Sequence, residues 1–353
     1  MKALIAMSGG VDSSVAAVLT KEAGYECIGC TMKLHDTVIE ADTSKTCCSI
    51  DDVEDARSVA GKLGMPYYVF NFKDSFKEKV IDRFIQCYEQ GETPNPCIDC
   101  NRYLKFTALY ERAKILGCDY IVTGHYARIE KSGDKYVLKK GLDPSKDQSY
   151  VLYSLTQEQL SRTLFPLGDY SKDYTRELAA GQGFINADKP DSQDICFVPD
   201  GDYAKVIRQY TGKEYAEGDF VDKDGKVLGR HKGIIHYTIG QRKGLGVPGQ
   251  DSYFVCQICP ETNQIILGGK DDVFSSEFTV HDVNWISGEA PDSEFTCQVK
   301  ARYRQKEQPA RIIPIDEKTI KVIFNEPQRA ITPGQAAVLY DGDIVLGGGT
   351  IAH

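Results

Sequence analysis

Short apolar runs alternate with longer amphipathic segments over the first 127 or so residues. The apolar runs, rich in β-branched and aromatic residues, predict strands at residues 3–7, 26–32, 67–71 and 120–123. The amphipathic segments predict helices at residues 12–23, 50–63, 74–89 and 104–116. Gly24, Gly64 and Gly117 follow three of these helices, as C-cap glycines do. This alternation predicts a doubly wound α/β domain with a mostly parallel sheet.

The pattern changes after residue 150. A helix is predicted at residues 171–182, and the segment 189–197 is too polar and turn-rich for a regular element. From about residue 212 helical patterns vanish, and alternating segments between Gly-rich turns predict strands at 254–258, 264–267, 295–301, 311–314, 321–324 and 336–340. We therefore predict an α/β domain at residues 1–211, a small β-rich domain at 212–278 and a β-barrel at 279–353.

Length and charge agree with a multidomain protein that has a local basic surface. At 353 residues the chain exceeds what one core usually holds. The net charge of -9 argues against nucleic-acid binding by the whole surface, yet Lys226, Arg230, Lys232, Arg242 and Lys243 lie in a stretch without acids. This stretch is either a solvated hairpin or a phosphate-contacting surface, and Arg242 and Lys243 in a Gly-rich loop favour the second interpretation.

The compartment follows from the apolar runs and the cysteines. No apolar run approaches the roughly 20 residues that a membrane helix needs, and the N-terminal run ends in a Gly-Gly loop rather than a cleavage-like segment. The 12 cysteines are spread through a large chain with no secretion signal, so we expect reduced thiols in a cytoplasmic protein without membrane partners.

The strongest chemical motif is Ser8-Gly9-Gly10-Val11-Asp12-Ser13-Ser14, between the first predicted strand and the first predicted helix. Unpaired N–H groups at such a helix start bind phosphate, the glycines allow close approach, and Asp12 suits a magnesium ion. The motif lacks the Gly-Lys-Ser/Thr of a Walker A loop. An ordinary Gly-rich turn with a capping residue is the alternative. The full string resembles the pyrophosphate loop of the ATP-pyrophosphatase (PP-loop) superfamily, which implies ATP cleavage between the α and β phosphates and an adenylated intermediate.

Two cysteine-bearing segments, both predicted to be loops, restrict the range of possible substrates. They are Gly91-Glu92-Thr93-Pro94-Asn95-Pro96-Cys97-Ile98-Asp99-Cys100-Asn101-Arg102 and Ser192-Gln193-Asp194-Ile195-Cys196-Phe197. A cysteine thiolate is a good nucleophile and can carry a persulfide sulfur. These segments resemble the tRNA-specific 2-thiouridylase (MnmA/TrmU) family along the whole chain, together with Thr123-Gly124-His125-Tyr126-Ala127, Lys146-Asp147-Gln148-Ser149, Tyr237-Thr238-Ile239-Gly240-Gln241-Arg242-Lys243-Gly244-Leu245-Gly246 and Thr332-Pro333-Gly334-Gln335.

The resemblance implies an adenine nucleotide hydrolase-like first domain and ATP-dependent replacement of the C2 oxygen of a wobble uridine by sulfur. It implies Cys100 as the nucleophile and Cys196 as the persulfide carrier, supplied by a cysteine desulfurase or a sulfur carrier. The persulfide either attacks the uridine directly or releases sulfide as a Cys100–Cys196 disulfide closes. The implied ATP contacts are Ala6, Met7, Ser8, Gly9, Gly10, Val11, Asp12, Ser13, Met32 and Gly124. The implied tRNA contacts are Asn95, Pro96, Cys97, His125, Lys146, Asp147, Gln148, Arg302, Tyr303 and Gln335.

Cys97 departs from the family, because many members carry an acid at this position. Cys97, Cys100 and Cys196 could instead hold a [4Fe–4S] cluster with one open iron, as related tRNA thiolases do. A persulfide and disulfide mechanism with Cys97 as a spectator is the competing hypothesis. Cys256 and Cys259 offer a weaker zinc hypothesis, whereas Cys27 and Cys30 are expected to be core residues on opposite faces of a strand.

Two rival functions remain open from the sequence. One is a small-molecule synthetase of the same superfamily that forms an amide or C–N bond, and the other is a non-catalytic RNA-binding protein. The paired thiols and basic β-rich segments argue against the first, and the intact phosphate loop with both cysteines argues against the second. His125 likewise has two interpretations, a satisfied core histidine or a functional residue at a strand end.

Overall fold

The computed structural model describes residues 1–35, 50–191, 195–198, 200–248 and 253–352. The strands are β1 Lys2–Ala6, β2 Glu26–Lys33, β3 Tyr67–Asn71, β4 Tyr120–Val122, β5 Ala127–Ser132, β6 Lys135–Lys140, β7 Thr163–Leu164, β8 Gly218–Val221, β9 Val227–His231, β10 Phe254–Cys259, β11 Gln264–Gly268, β12 Phe274–Trp285, β13 Phe295–Lys300, β14 Gln308–Asp316, β15 Thr319–Arg329, β16 Ala336–Asp341 and β17 Ile344–Ile351. The α-helices are α1 Val11–Glu22, α2 Ile50–Lys62, α3 Lys73–Phe76, α4 Asp82–Glu89, α5 Pro96–Asp99, α6 Leu109–Ile115, α7 Gln157–Ser161, α8 Lys172–Gly181 and α9 Tyr203–Thr211.

A parallel sheet in the order β3-β2-β1-β4-β7 organises the first domain. Hydrophobic cores cover both faces: Cys27 belongs to one and Cys30 to the other, so the predicted core role of these two cysteines is confirmed. Gly24, Gly64 and Gly117 have φ of 86°, 63° and 67°, the left-handed conformation expected at helix ends. The doubly wound α/β fold is thereby confirmed, and it brings the ends of β1 and β4 to one edge of the sheet.

The helix predicted at 104–116 is longer than expected. It begins with α5, continues through a π-helical segment, Cys100–Ala108, and ends in α6. Asn95 caps it, because its side-chain oxygen accepts a hydrogen bond from the Cys97 N–H at 3.2 Å, and Pro96 occupies the first turn. The prediction that Cys97 and Cys100 lie in a loop was therefore wrong, since Asn-Pro starts a helix here.

The two β-rich domains follow as expected. Strands β10-β11-β8-β9 form the middle sheet, and the C-terminal strands pair in the order β12-β15-β14-β13-β16-β17. Pairing of β12 with β17 closes the second set into a six-stranded barrel. β12 spans the predicted boundary at residue 278, and the domain limits remain predictions.

The hairpin of β5 and β6 joins the first domain to the barrel, which the sequence did not predict. β6 pairs with β17 at Lys139 and Ile344, and the hydrophobic core between them contains Leu138, Tyr340 and Val345. Because this core is continuous, the barrel is fixed against the α/β domain. No described helix is long and apolar enough to cross a membrane.

Candidate active site at the phosphate loop

The segment from Ser8 to Gly10 forms a tight loop between β1 and α1. Gly9 has a φ of +76°, and a Cβ atom there would lie 2.4 Å from the Asp52 carbonyl oxygen. Gly10 is the N-cap of α1 and no side chain caps the helix. The Ser13 hydroxyl braces the loop, accepting from the Ser8 N–H at 3.1 Å and donating to the Gly10 carbonyl at 2.9 Å. The uncapped first turn of α1 is thus suited to bind an anion.

Asp12 lies in that first turn among buried polar groups. Its Oδ1 accepts hydrogen bonds from Lys172 Nζ at 2.7 Å and from the Tyr126 hydroxyl at 2.8 Å. Burial, followed by the charge of Asp12, raises the pKa of Tyr126, so the phenol stays a donor. Both contacts use Oδ1, and the remaining carboxylate oxygen fits the hard oxygen ligation that Mg²⁺ requires.

Residues far along the chain support the loop, and sequence reasoning missed them. Asn186 donates to the Gly9 carbonyl and the Ser14 hydroxyl, both at 2.9 Å. Lys189 bridges Asp52 and Asp55 at 2.6 and 2.8 Å. No local pattern in the sequence links these side chains to a loop more than 130 residues away, so only the tertiary structure identifies them.

The predicted nucleotide contacts partly converge on this loop. A Cβ atom at Gly124 would lie 2.8 Å from the Asp12 carbonyl carbon and from the Ser13 nitrogen, so the end of β4 packs directly on the start of α1. Met7 is buried beneath the loop, and its N–H donates to the Cys30 carbonyl at 2.7 Å. Met32 is also buried in β2. Ala6 to Ser13 and Gly124 are therefore contiguous, with Met32 on the adjacent strand.

Cys100 and Cys196 belong to the same face of the first domain. Both are partly buried and pack against the hydrophobic core that also receives Ala6. Phe197 anchors the Cys196 segment by edge-to-face contacts with Phe76 and Phe84, at centroid distances of 5.7 and 5.2 Å. Ser192, Gln193 and Asp194 of the same motif lie outside the described residues. So do Cys47 and Cys48, two adjacent cysteines for which the sequence predicts a polar loop.

Cys97 is exposed in the first turn of the helix that contains Cys100. None of the described cysteines forms a disulfide. In the described part of the chain, no group of three or more Cys, His, Asp or Glu side chains is placed to hold a metal ion. Cys97, Cys100 and Cys196 therefore do not form an assembled ligand set in the described structure, and the cluster stays a prediction; Cys256 and Cys259 likewise have no assembled zinc site among the described residues.

His125 is buried at the end of β4. Its Nδ1 is 2.7 Å from the Thr123 hydroxyl, its Nε2 is 3.5 Å from Lys105 Nζ, and its ring packs edge-on against Phe165. Burial and the charge of Lys105 lower the pKa of His125 well below its ordinary value. The imidazole is therefore neutral, and it has the environment of a satisfied core histidine.

The predicted tRNA contacts Lys146, Asp147 and Gln148 lie in the loop that follows β6, and their hydrogen bonds fix this loop. Lys146 pairs with Asp191 at 2.8 Å, Asp147 accepts from the Ser149 hydroxyl at 2.9 Å, and Gln148 donates its N–H to the Tyr126 carbonyl at 2.9 Å. These three residues therefore lie next to Tyr126 and Asp191, which contact Asp12 of the phosphate loop directly and through Lys172, respectively.

Three more of these residues come from the barrel. Arg302 donates to the Ile239 carbonyl of the middle domain at 3.1 Å, the Tyr303 hydroxyl is 3.5 Å from the Asp147 carbonyl, and Gln335 donates to the Thr93 carbonyl at 2.6 Å. They lie where the barrel meets the other two domains, near the start of the Cys100 helix.

Comparisons with known proteins cover all three domains. Family profiles match as "tRNA methyl transferase HUP domain" at residues 1–200, "tRNA methyl transferase PRC-barrel domain" at 204–269 and "Aminomethyltransferase beta-barrel domain" at 275–351. A "4-thiouridine synthetase - RNA complex with bound ATP" aligns over 59% of this chain and 50% of that chain, at 21% identity and a TM-score of 0.39, too low to bear on function.

Two relatives are both named tRNA-specific 2-thiouridylase MnmA. The protein from Clostridioides difficile (strain 630) is 54% identical over 99% of this chain and 98% of its own length. The protein from Carboxydothermus hydrogenoformans is 52% identical over 99% of this chain and 97% of its own length. With this identity over nearly its full length, the chain belongs to the family of MnmA tRNA-specific 2-thiouridylases.

Proposed function

We propose that the protein is an ATP-dependent tRNA-uridine 2-sulfurtransferase that converts a wobble uridine to 2-thiouridine and releases AMP and pyrophosphate. The observation that carries the proposal is that Cys100, Cys196 and Ala6, the last residue of β1 before the phosphate loop, all pack against one hydrophobic core, which also extends into the middle domain. On this proposal one site combines the groups for activating an oxygen with the groups for delivering a sulfur.

ATP is proposed to bind with its phosphates at the first turn of α1, where N–H groups and the helix dipole favour an anion. Asp12 would hold the magnesium ion, which neutralises phosphate charge when bound. The uridine O2 forms a bond to the α-phosphorus as the bond to the pyrophosphate oxygen breaks, and its electron pair leaves with pyrophosphate. C2 is then attackable because AMP is a far better leaving group than oxide.

Sulfur delivery is proposed to use a persulfide on Cys196, loaded by a cysteine desulfurase or a sulfur carrier. Its terminal sulfur bonds to C2 while AMP leaves with the electrons of the C2–O bond. The Cys100 thiolate then attacks the inner sulfur, and the S–S electron pair passes to the sulfur on C2. In the second route Cys100 attacks first and the released hydrosulfide bonds to C2. Both routes end in a Cys100–Cys196 disulfide, which a thiol must reduce.

The tRNA is proposed to lie along the junction of the barrel with the first domain. Because the proposed substrate is a tRNA, the cytoplasm is the proposed compartment. Across this junction the Tyr303 hydroxyl is 3.5 Å from the Asp147 carbonyl, between Lys146 and Gln148, and Gln335 donates to the Thr93 carbonyl. Tyr303 is partly exposed, and its ring can stack on a splayed base. Asn95, Pro96 and Cys97 begin the helix of the nucleophile, where the target base would have to reach.

The test is mass analysis of wobble nucleosides after incubation of tRNA with ATP, magnesium and a persulfide donor. We expect C100S and C196S to abolish 2-thiouridine, and C297S, a partly buried barrel cysteine, to leave it unchanged. Full thiolation by C100S and C196S would refute the residue assignment. Pyrophosphate release that ignores tRNA would instead identify a small-molecule synthetase, and no release at all a non-catalytic binder.

Cys97 is tested in the same assay. Because the proposed persulfide and disulfide steps use only Cys100 and Cys196, we expect C97S to thiolate tRNA at close to the wild-type rate without added iron. Loss of thiolation in C97S, with tRNA-dependent pyrophosphate release retained, would show that this thiol takes part in sulfur delivery.

A further inference from the structure

Lysines of the first domain differ in their partners. Lys172 pairs with Asp12 and Asp191, each at 2.7 Å, and Lys189 likewise bridges two aspartates. Among the described residues Lys105 has no carboxylate within 4 Å, and its Nζ lies 3.5 Å from the Nε2 of His125. Carboxylates therefore neutralise Lys172 and Lys189, whereas the charge of Lys105 is uncompensated.

The neutral state of His125 suits it to hold this ammonium. An Nδ1–H donated to the Thr123 hydroxyl, 2.7 Å away, leaves the Nε2 lone pair facing the lysine. Burial, the main cause of the lowered His125 pKa, prevents the imidazole from competing as a second cation. The pair thus orients Lys105 without cancelling its charge.

The contact between Lys105 and His125 joins the helix of Cys100 to the end of β4, which packs on the phosphate loop. Lys105 follows Cys100 by five residues in the π-helical segment, about one turn of such a helix. His125 follows Gly124, which packs on the backbone of Asp12 and Ser13. The ammonium therefore lies where the helix of Cys100 meets the strand end that packs on the phosphate loop.

We propose that Lys105 is a further catalytic residue, which contacts the α-phosphoryl group of ATP and of the adenylated uridine, and that His125 is its positioning residue. The proposal rests on the proposed function. Negative charge builds on the α-phosphoryl oxygens as O2 bonds to phosphorus and pyrophosphate leaves, and on AMP as the C2–O bond breaks. A fixed ammonium in a partly buried site stabilises both transition states.

The test is single-turnover, tRNA-dependent pyrophosphate release at saturating ATP. We expect K105M, which keeps the aliphatic stem, to lower the rate about 100-fold with the KM for ATP and for tRNA changed only a few-fold. K105R should recover at least tenfold of this loss, because it restores the charge. K114M is the matched control, since Lys114 is an exposed lysine of α6 paired with Glu111, and it should match wild type. Thermal unfolding checks that K105M and K105R are folded.

A double-mutant cycle tests the role of His125. If this residue acts only through Lys105, H125A slows the wild type about tenfold but does not slow K105M further. Undiminished release by K105M, or additive losses with a raised KM for tRNA in H125A, would overturn the proposal and favour direct contact of His125 with tRNA. Absence of tRNA-dependent release in the wild type would instead refute the proposed function.

Discussion

The two adjacent glycines of the phosphate loop should respond very differently to alanine. In Gly9→Ala, the left-handed φ of +76° costs about 1–2 kcal/mol. The new Cβ would also lie 2.4 Å from the Asp52 carbonyl oxygen, a backbone atom that cannot rotate away. Relieving such an overlap typically costs about 1–3 kcal/mol. The total, about 2–5 kcal/mol, should lower the melting temperature of a domain of this size by roughly 4–20 °C.

Gly10→Ala is the matched control for folding. Gly10 has an ordinary φ of -88°, and the nearest atom to a Cβ there is the Ser8 hydroxyl oxygen at 3.5 Å, a normal contact. Replacing a glycine N-cap by alanine costs at most about 1 kcal/mol, so this variant should melt near the wild type. Its ATP affinity, measured by calorimetry, should fall about tenfold, because the methyl group obstructs approach of phosphate to the loop.

Two outcomes would refute this reasoning. If Gly9→Ala melts within 2 °C or so of the wild type, the left-handed turn and its contact with Asp52 do not stabilise the loop. If Gly10→Ala binds ATP as tightly as the wild type, close approach of the phosphates does not require a glycine there.

Further predictions concern two buried charges. Burial raises the pKa of Asp99 to about 6, although Arg83 at 3.5 Å acts in the opposite direction. Ionising this carboxyl should therefore lower the free energy of unfolding by up to about 3 kcal/mol, and this loss should develop as the pH rises from about 4 to 6. We expect Asp99→Asn to melt higher than the wild type at pH 7.5 and the difference to vanish near pH 4; an equal melting temperature at pH 7.5 would contradict this. Lys172→Met leaves Asp12 and Asp191 without their shared cation and should destabilise the fold by about 3 kcal/mol in denaturant titration, whereas an unchanged midpoint would show that the pair contributes nothing.

The sequence by itself determined the local features of this protein. Strand β1, the phosphate loop and helix α1 are contiguous in the chain, from Lys2 to Glu22. The apolar pattern of the strand, the glycines of the loop and the start of the helix could therefore all be predicted from this one segment. The glycines at helix ends and the opposite faces of Cys27 and Cys30 follow from the geometry of single elements. Motif resemblance supplied the roles of Cys100 and Cys196, which no periodicity could provide.

Only the tertiary structure decided which distant groups meet. The β5–β6 hairpin reads as an ordinary part of the first domain, yet it pairs with the barrel strand β17. No local pattern distinguishes Lys105 from Lys189, but in the folded chain Lys105 contacts a neutral histidine and Lys189 contacts two aspartates. Such pairings depend on burial and on contacts between residues 20 to 205 positions apart in this chain. Local propensity carries no signal for them, because the free energy that selects them arises only when the elements pack together.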